Sequence, residues 1–358
     1  MNKQKALVIL SPGFPADVND TNCLPLQQSF VKTLKQSNPQ LNIIVISFQY
    51  PFKASRYIWY GAQVIALAGK GRGRLFRLFT WQRAFSELKK INDKYEVTGL
   101  LSFWMGECAY VGSRFAKKNN LQHYTWLLGQ DAKAGNHYVN SIKPQPGNVI
   151  ALSDFLAKEF RLNYRINPQH IIPVGIDTDL FDTNRVERDI DIMGAGSLIA
   201  LKQYDVFIKV IKSLTTEFPD IKTIICGKGP EMEKLKKLII KLGLEKNIEL
   251  KGELSHKEVL RLMQRSRIFL HTSIYEGNAA VLSEALYAGA HVVSLVKPME
   301  ARLAQHHIPD NAEHLPDLLL NLLNDRTLNH DPLLVDTMES IAARVLDLFV
   351  HERFADIH

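Results

Sequence analysis

The chain has 358 residues, of which 46% are hydrophobic and 23% charged. That balance excludes a disordered chain, a collagen-like repeat and a small disulfide scaffold, and at about 100–200 residues per domain the length points to two domains. The net charge of +7 is unevenly spread: residues 1–178 hold 22 Lys and Arg against 10 Asp and Glu, while residues 179–358 hold 22 against 27. An anionic partner is therefore expected on the N-terminal half.

The chain opens with MNKQKALVILSPGFP, whose apolar run stops after five residues. That is too short for a signal peptide and suits a buried first strand. Strand-like runs are predicted at residues 6–10, 42–47, 99–103, 124–128, 149–152 and 171–174. Helical spacings lie between them, as at Leu26, Phe30 and Leu34 or Phe155, Leu156 and Phe160. A polar stretch, 177–189, separates these from further predicted strands at 190–193, 223–226, 248–250, 268–270 and 291–296. One predicted helix, 205–217, puts Val206, Val210, Ile211 and Leu214 on one face. Another, 255–266, opens with the capping-box pattern Ser255-x-x-Glu258. A last one, about 336–349, carries Met338, Ile341, Ala342, Val345, Leu346 and Phe349 at helical spacing.

Strands alternating with helices of this length predict parallel sheets covered on both faces, in two doubly wound domains. No apolar run approaches the ~20 residues of a membrane helix. Cys23, Cys108 and Cys226 share no close spacing. They fit a reducing cytoplasm and give no zinc or disulfide framework.

Residues 68–90 stand apart. Lys70, Arg72, Arg74, Arg77, Arg83, Lys89 and Lys90 interleave with Leu75, Phe76, Leu78, Phe79, Trp81 and Phe85 after the flexible glycines Gly69, Gly71 and Gly73. Two readings are open: an amphipathic helix on an anionic membrane surface, or a helix packed on the sheet with a solvated basic loop.

The stretch 273–293, SIYEGNAAVLSEALYAGAHVV, carries the most chemistry. A strand ends, a loop presents Glu276, Gly277, Asn278 and Ala279, and a helix is predicted from about Ala279 that includes Ala280, Val281 and Glu284. A helix N-terminus following a parallel strand offers free N–H groups to a phosphate or a sugar hydroxyl. The small residues let a ligand approach the backbone. Glu276 is placed to accept from sugar hydroxyls, and Glu284 from a ribose diol.

Glu276 and Glu284 stand with seven residues between them. This block resembles the E-x7-E signature of retaining GT-B glycosyltransferases, in particular glycosyltransferase family 4 (glycosyl transferases group 1). Asn278 and Ala279 replace the aromatic residue and glycine usual after E-G. The resemblance extends over about 150–296. Residues 150–160, IALSDFLAKEF, and the interdomain segment 173–181, with Val174 in place of the usual Asn, are similar to family blocks. Met193-Gly194-Ala195-Gly196-Ser197 and Lys202 resemble the G-R-x4-K-G loop, with Ser197 at the arginine position. Cys226-Gly227-Lys228-Gly229-Pro230 resembles the G-x-G-P turn, and Lys251-Gly252-Glu253-Leu254 the stretch that contacts the base. Before residue 150 the likeness is weak. Gly13, in Ser11-Pro12-Gly13-Phe14-Pro15, stands in the first strand-to-loop turn, though Asn19-Asp20-Thr21 replaces the usual Gly-Gly. Leu128-Gly129-Gln130-Asp131 resembles the H-G-x-D loop with its histidine replaced by Leu128. Asp131 reads either as an acceptor-side ligand or as a loop cap.

The resemblance implies a GT-B fold: two Rossmann-like domains facing a cleft, the last helix crossing back to the first. The acceptor-binding domain would be 1–178 plus about 338–358, and the nucleotide-sugar-binding domain 179–337. It implies retaining transfer from a nucleotide-diphosphate sugar to a hydroxyl of a glycan or lipid-linked acceptor, in polysaccharide or glycolipid synthesis. Lys202 would stabilise the leaving diphosphate, and Glu276 would position the sugar. No metal or other cofactor is expected, and the location expected is cytoplasmic, at most peripheral on the inner membrane face. Two alternatives remain open: a non-catalytic GT-B subunit, and a sugar-nucleotide epimerase or phosphorylase. Three other patterns are read as structural. Asp189-Ile190-Asp191 opens a strand rather than ending one. Gly194-Ala195-Gly196 has Ile199 where a dinucleotide fingerprint needs glycine. His306-His307 is expected to be a solvated pair. No nucleic-acid motif accompanies the basic half.

Overall fold

The computed structural model describes residues 3–184, 186–277 and 280–351. The chain divides into two units, Met1–Gly175 with Asp336–His358, and Ile176–Val335. The junctions fall at 175/176 and 335/336, beside the 178/179 and 337/338 of the sequence reading.

The first unit runs β1 (Lys5–Gly13), α1 (Pro25–Ser37), β2 (Asn42–Tyr50), β3 (Ser55–Trp59), β4 (Ala62–Ala66), α2 (Arg74–Lys94), β5 (Glu96–Phe103), α3 (Glu107–Asn119), β6 (His123–Leu127), α4 (His137–Ile142), β7 (Val149–Ala151), α5 (Asp154–Tyr164) and β8 (His170–Ile171). Its sheet has the order β3-β4-β2-β1-β5-β6-β7-β8. Only the β3–β4 pair is antiparallel. β1 is the central strand, and Ala6, Leu7, Val8, Ile9 and Leu10 are wholly buried, as a strand covered on both faces must be. The β3–β4 hairpin is an addition to the elements the sequence predicts. Its two-residue turn puts Tyr60 at φ 43° and Gly61 at φ 81°, the two positive angles of a type I′ turn.

The second unit runs β9 (Ile190–Ala195), α6 (Tyr204–Leu214), β10 (Thr223–Cys226), α7 (Met232–Leu242), β11 (Ile248–Gly252), α8 (His256–Gln264), β12 (Ser266–His271), α9 (Ala280–Tyr287), β13 (His291–Ser294), β14 (His306–His307) and α10 (Leu315–Asn324). Its strands are all parallel, in the order β11-β10-β9-β12-β13-β14. The capping box is present: Ser255 Oγ accepts from Glu258 N, and the Glu258 carboxylate accepts from Ser255 N.

The chain then returns to the first unit as α11 (Met338–His351). Met338, Ile341, Ala342, Val345 and Phe349 face inward, on the stripe the spacing predicts. Phe349 meets Tyr124 edge-on at 4.9 Å and lies over Gly99 of β5, where any Cβ would collide with its ring. Burying a phenylalanine this fully contributes about 1.5–3 kcal/mol, so Gly99 serves the docking of the last helix. At the crossing, a Cβ on Gly175 would strike the Thr337 carbonyl, which accounts for the glycine in the P-V-G-I-D segment.

In both sheets the chain order reverses about the central strand, between β1 and β5 in the first and between β9 and β12 in the second. Ligands of open α/β sheets bind outside the carboxyl ends of the strands at such a switch point. In the second unit the loops there are drawn tightly together. Gly227, after β10, has φ 143°, and a Cβ on it would overlap the Gly196 carbonyl oxygen. Gly243, at the end of α7, has φ 65° but open space where a Cβ would go. Gly227→Ala is therefore expected to lower unfolding free energy by at least about 3 kcal/mol, and Gly243→Ala by only about 1 kcal/mol. Denaturant titration of the two variants checks this, and equal losses would contradict it.

Candidate functional site

The loops leaving β9, β10, β11 and β12 meet at one edge of the second sheet because those strands are neighbours and parallel. After β9 the chain carries Gly196 and the exposed Ser197, then a single 3-10 turn that ends at Lys202. Gly196 has φ 149°, and a Cβ there would touch Lys202 Cε at 3.7 Å. After β10, Gly229 fits under the Leu198 carbonyl with no room for a Cβ. Leu198 N donates to Lys228 O at 2.9 Å, and Gly227 N to Gly252 O at 2.7 Å. Leu254, after β11, is half-buried against the core beneath the sheet. These glycines hold backbone against backbone.

Glu276 comes from the loop after β12. Its loop is laced to the Lys202 turn: Thr272 Oγ1 donates to Lys202 O at 2.8 Å, and Ile274 N to Leu201 O at 3.3 Å. The lacing brings the Lys202 ammonium onto Glu276 Oε1 in an ion pair whose side chains are 17% and 15% exposed. His271 Nε2 reaches the same oxygen at 3.2 Å. Burial alone would raise the Glu276 carboxyl pKa. The His271 hydrogen bond and the Lys202 charge outweigh it and hold the carboxyl down at about 2. Burial lowers the pKa of His271, so Glu276 is ionised and His271 neutral at physiological pH.

Gly277 is buried, and Asn278 and Ala279 lie outside the described residues. α9 begins at Ala280, which is buried, with Val281 half-buried beside it. Glu284 is 8% exposed, and its Oε1 bonds His256 Nε2 at 2.7 Å. Burial pulls His256 down, but Glu284 and Asp177 together raise its pKa above the ordinary histidine value. Glu284 is thus a buried carboxylate whose Oε1 is paired with His256, and it stands one turn from the helix start. Sequence reasoning missed His256 and His271. Neither lies at a spacing that signals a partner, and only the fold sets them against the two glutamates.

In the first unit, Gly13 ends β1, the strand beside that sheet's switch point. Asp131 is a loop anchor in this structure. Its carboxylate accepts from Met105 N at 2.8 Å, Leu128 N at 3.2 Å and Gly129 N at 2.8 Å. Burial raises its pKa to about 6 against the pull of those bonds. The three donors account for an aspartate in L-G-Q-D without an acceptor.

Asp189 is exposed in a pair with Arg265, and Asp191 accepts from Lys222 N at 2.9 Å. Both stand at the start of β9, the end opposite the site. The expectation of a solvated His306-His307 pair does not hold. Both form the edge strand β14 and are partly buried. His306 Nε2 meets Ser294 Oγ at 2.8 Å, and His307 Nε2 meets His291 Nδ1 at 3.0 Å. Burial takes His306 down to about 4.

In α2 the outcome is divided along the helix. Ala84, Leu88 and Ile91 pack on the sheet, while Leu75, Phe76, Leu78 and Phe79 are 73%, 55%, 52% and 63% exposed. Two arginines expected on the cationic flank are engaged by their own unit: Arg77 donates to Tyr138 Oη at 3.2 Å and Arg83 to the Leu67 carbonyl at 2.6 Å. Among the described residues no helix is long and apolar enough to cross a membrane.

Residues 176–332 match the family model of the glycosyl transferases group 1. The gpi3 subunit of phosphatidylinositol N-acetylglucosaminyltransferase from Schizosaccharomyces pombe is 29% identical over 152 residues, covering 41% of this chain and 33% of that protein. A phosphatidylinositol N-acetylglucosaminyltransferase subunit from Homo sapiens is 30% identical over 151 residues, covering 41% and 31%. The chain thus spans about a third of the length of these curated relatives. Sucrose-phosphate synthase from Thermosynechococcus elongatus superposes with a TM-score of 0.69 at 18% identity over 97% of this chain and 95% of that one. The second unit therefore matches the group 1 glycosyl transferases in sequence, and the chain as a whole has the GT-B fold.

Proposed function

We propose that the chain is a retaining glycosyltransferase of the family 4 type, moving a sugar from a nucleotide-diphosphate sugar to a hydroxyl of a glycan or lipid-linked acceptor. The observation that carries this reading is the Lys202–Glu276 pair at the switch point of a unit whose sequence matches the group 1 model. The related subunits belong by name to N-acetylglucosaminyltransferases acting on phosphatidylinositol, so a UDP-N-acetylglucosamine donor and a lipid-linked acceptor are the first to try.

In this reading the second unit holds the donor. Main-chain groups about Gly196, Ser197, Gly227, Gly229 and Leu254 contact the nucleotide, and the α9 N-terminus receives the diphosphate. Glu284 takes the ribose and Glu276 a sugar hydroxyl. The glycosidic C–O bond breaks toward the diphosphate, and the acceptor oxygen attacks from the same face. The departing phosphate takes the acceptor proton, so no side chain serves as a covalent nucleophile. Lys202 stabilises the charge that builds on the diphosphate, without a metal. Lys202→Ala and Glu276→Ala are each expected to cut transfer at least tenfold, about 1.4 kcal/mol in the barrier, and wild-type turnover is expected to survive EDTA. Radiolabelled sugar transfer measures both. Near-normal turnover of the folded variants would contradict the site, and loss on chelation restored by Mn²⁺ would contradict the metal-free mechanism.

The first unit, in the same reading, takes the acceptor at an anionic membrane surface. The exposed apolar residues of α2 lie beside the exposed Lys70 and Arg72. Residues 51–94 hold ten Lys and Arg against two Asp and Glu. Each basic side chain near an anionic leaflet contributes about 1 kcal/mol. Wild type is expected to co-sediment with phosphatidylserine vesicles at 0.1 M salt, to do so less at 1 M as the Debye length falls to ~3 Å, and to lose most binding on combined Leu75→Ser, Phe76→Ser and Phe79→Ser. Equal pelleting of variant and wild type, or none by wild type, would contradict membrane docking.

A further inference from the structure

His271 closes β12 with 4% of its surface exposed. A carboxylate only accepts hydrogen bonds, so His271 Nε2 carries the proton it shares with Glu276 Oε1 at 3.2 Å. Lys202 bonds that same oxygen. Among the described residues none hydrogen-bonds Glu276 Oε2. Both donors thus converge on one oxygen of the carboxylate.

This arrangement raises a problem for a lysine expected to serve a diphosphate. In the free protein its charge is spent on Glu276. If Lys202 turns to the incoming anion, it leaves behind a carboxylate that is only 15% exposed, and a buried charge that loses its partner is costly. His271 is placed to reduce that cost, because its hydrogen bond to Oε1 does not depend on Lys202. It sits on a strand rather than a loop, and β12 is fixed between β9 and β13. Lys202 stands instead on a turn after β9.

We propose that His271 is a positioning residue that holds Glu276 ionised and in place while Lys202 transfers its charge to the donor diphosphate. The inference rests on the glycosyltransferase reading above. It makes nucleotide affinity depend on a residue that need not touch the nucleotide, and it ties that dependence to the charge of Glu276. In Glu276→Gln there is no anion to strand, so Lys202 is free for the phosphate with or without His271.

A double-mutant cycle tests this by calorimetry with UDP, GDP and ADP, using whichever wild type binds most tightly. His271→Leu is expected to weaken binding at least fivefold. His271→Gln, which keeps an N–H donor, should stay within twofold of wild type. In the Glu276→Gln background, which should bind at least as tightly as wild type, adding His271→Leu should change affinity by less than twofold. Thermal melts confirm folding, and if His271→Leu does not fold the cycle is run with His271→Met. Unchanged affinity in His271→Leu, or an equal loss in both backgrounds, would overturn the proposal alone. A wild type that binds none of the three nucleotides would overturn the glycosyltransferase reading and this proposal with it.

Discussion

A largely buried carboxylate must be paired or it will take up a proton. At Glu276 the pairing comes from Lys202, 74 residues earlier, and from His271, five residues earlier. No local structure brings these three together. It takes the strand order of the second unit, in which β12 returns to lie against β9 after β10 and β11 have been laid on the other side. The glycines serve the same end. Gly227 and Gly229 leave room for carbonyls of the β9 loop where any side chain would collide, and so let the β9 and β10 loops pack backbone to backbone.

The central strands were legible in the sequence because burial on both faces demands unbroken apolar runs, and residues 6–10 and 43–46 are such runs. The last helix was legible for a related reason. Its stripe from Met338 to Phe349 is the one buried. The β3–β4 hairpin was not, since its turn is Tyr60-Gly61 and a tyrosine at positive φ hides the signal that Asn-Gly would give. The glutamates of the site could be read from their spacing, which a short loop and one helix turn determine locally. Their histidine partners could not. His271 sits in a buried strand between Leu270 and Thr272 and reads there as core. His256 reads as the first residue of a capped helix. Both acquire a role only through contacts set by tertiary packing.

The first unit shows the same division. Asp131 binds main-chain N–H groups within three residues of itself as well as Met105, an arrangement that local turn chemistry partly foretells. In α2 the interleaved basic and apolar residues left two readings open, and packing on the sheet is seen for only part of the helix. The later turns pack inward. The first two turns put apolar side chains into solvent, which a helix on a sheet has no need to do. Arg77 and Arg83 look like their exposed neighbours in sequence, and only their hydrogen bonds to Tyr138 and Leu67 separate them.

The central claim is that Lys202, paired with Glu276 in the free protein, receives the diphosphate of a nucleotide sugar. A thermal-shift screen of wild type and Lys202→Ala against UDP-, GDP- and ADP-sugars tests it most directly, because a ligand that binds only the folded state raises its melting temperature. The expected result is a clear rise for wild type with one nucleotide class and little or none for Lys202→Ala. No rise with any donor, or the same rise in both proteins, would contradict the account.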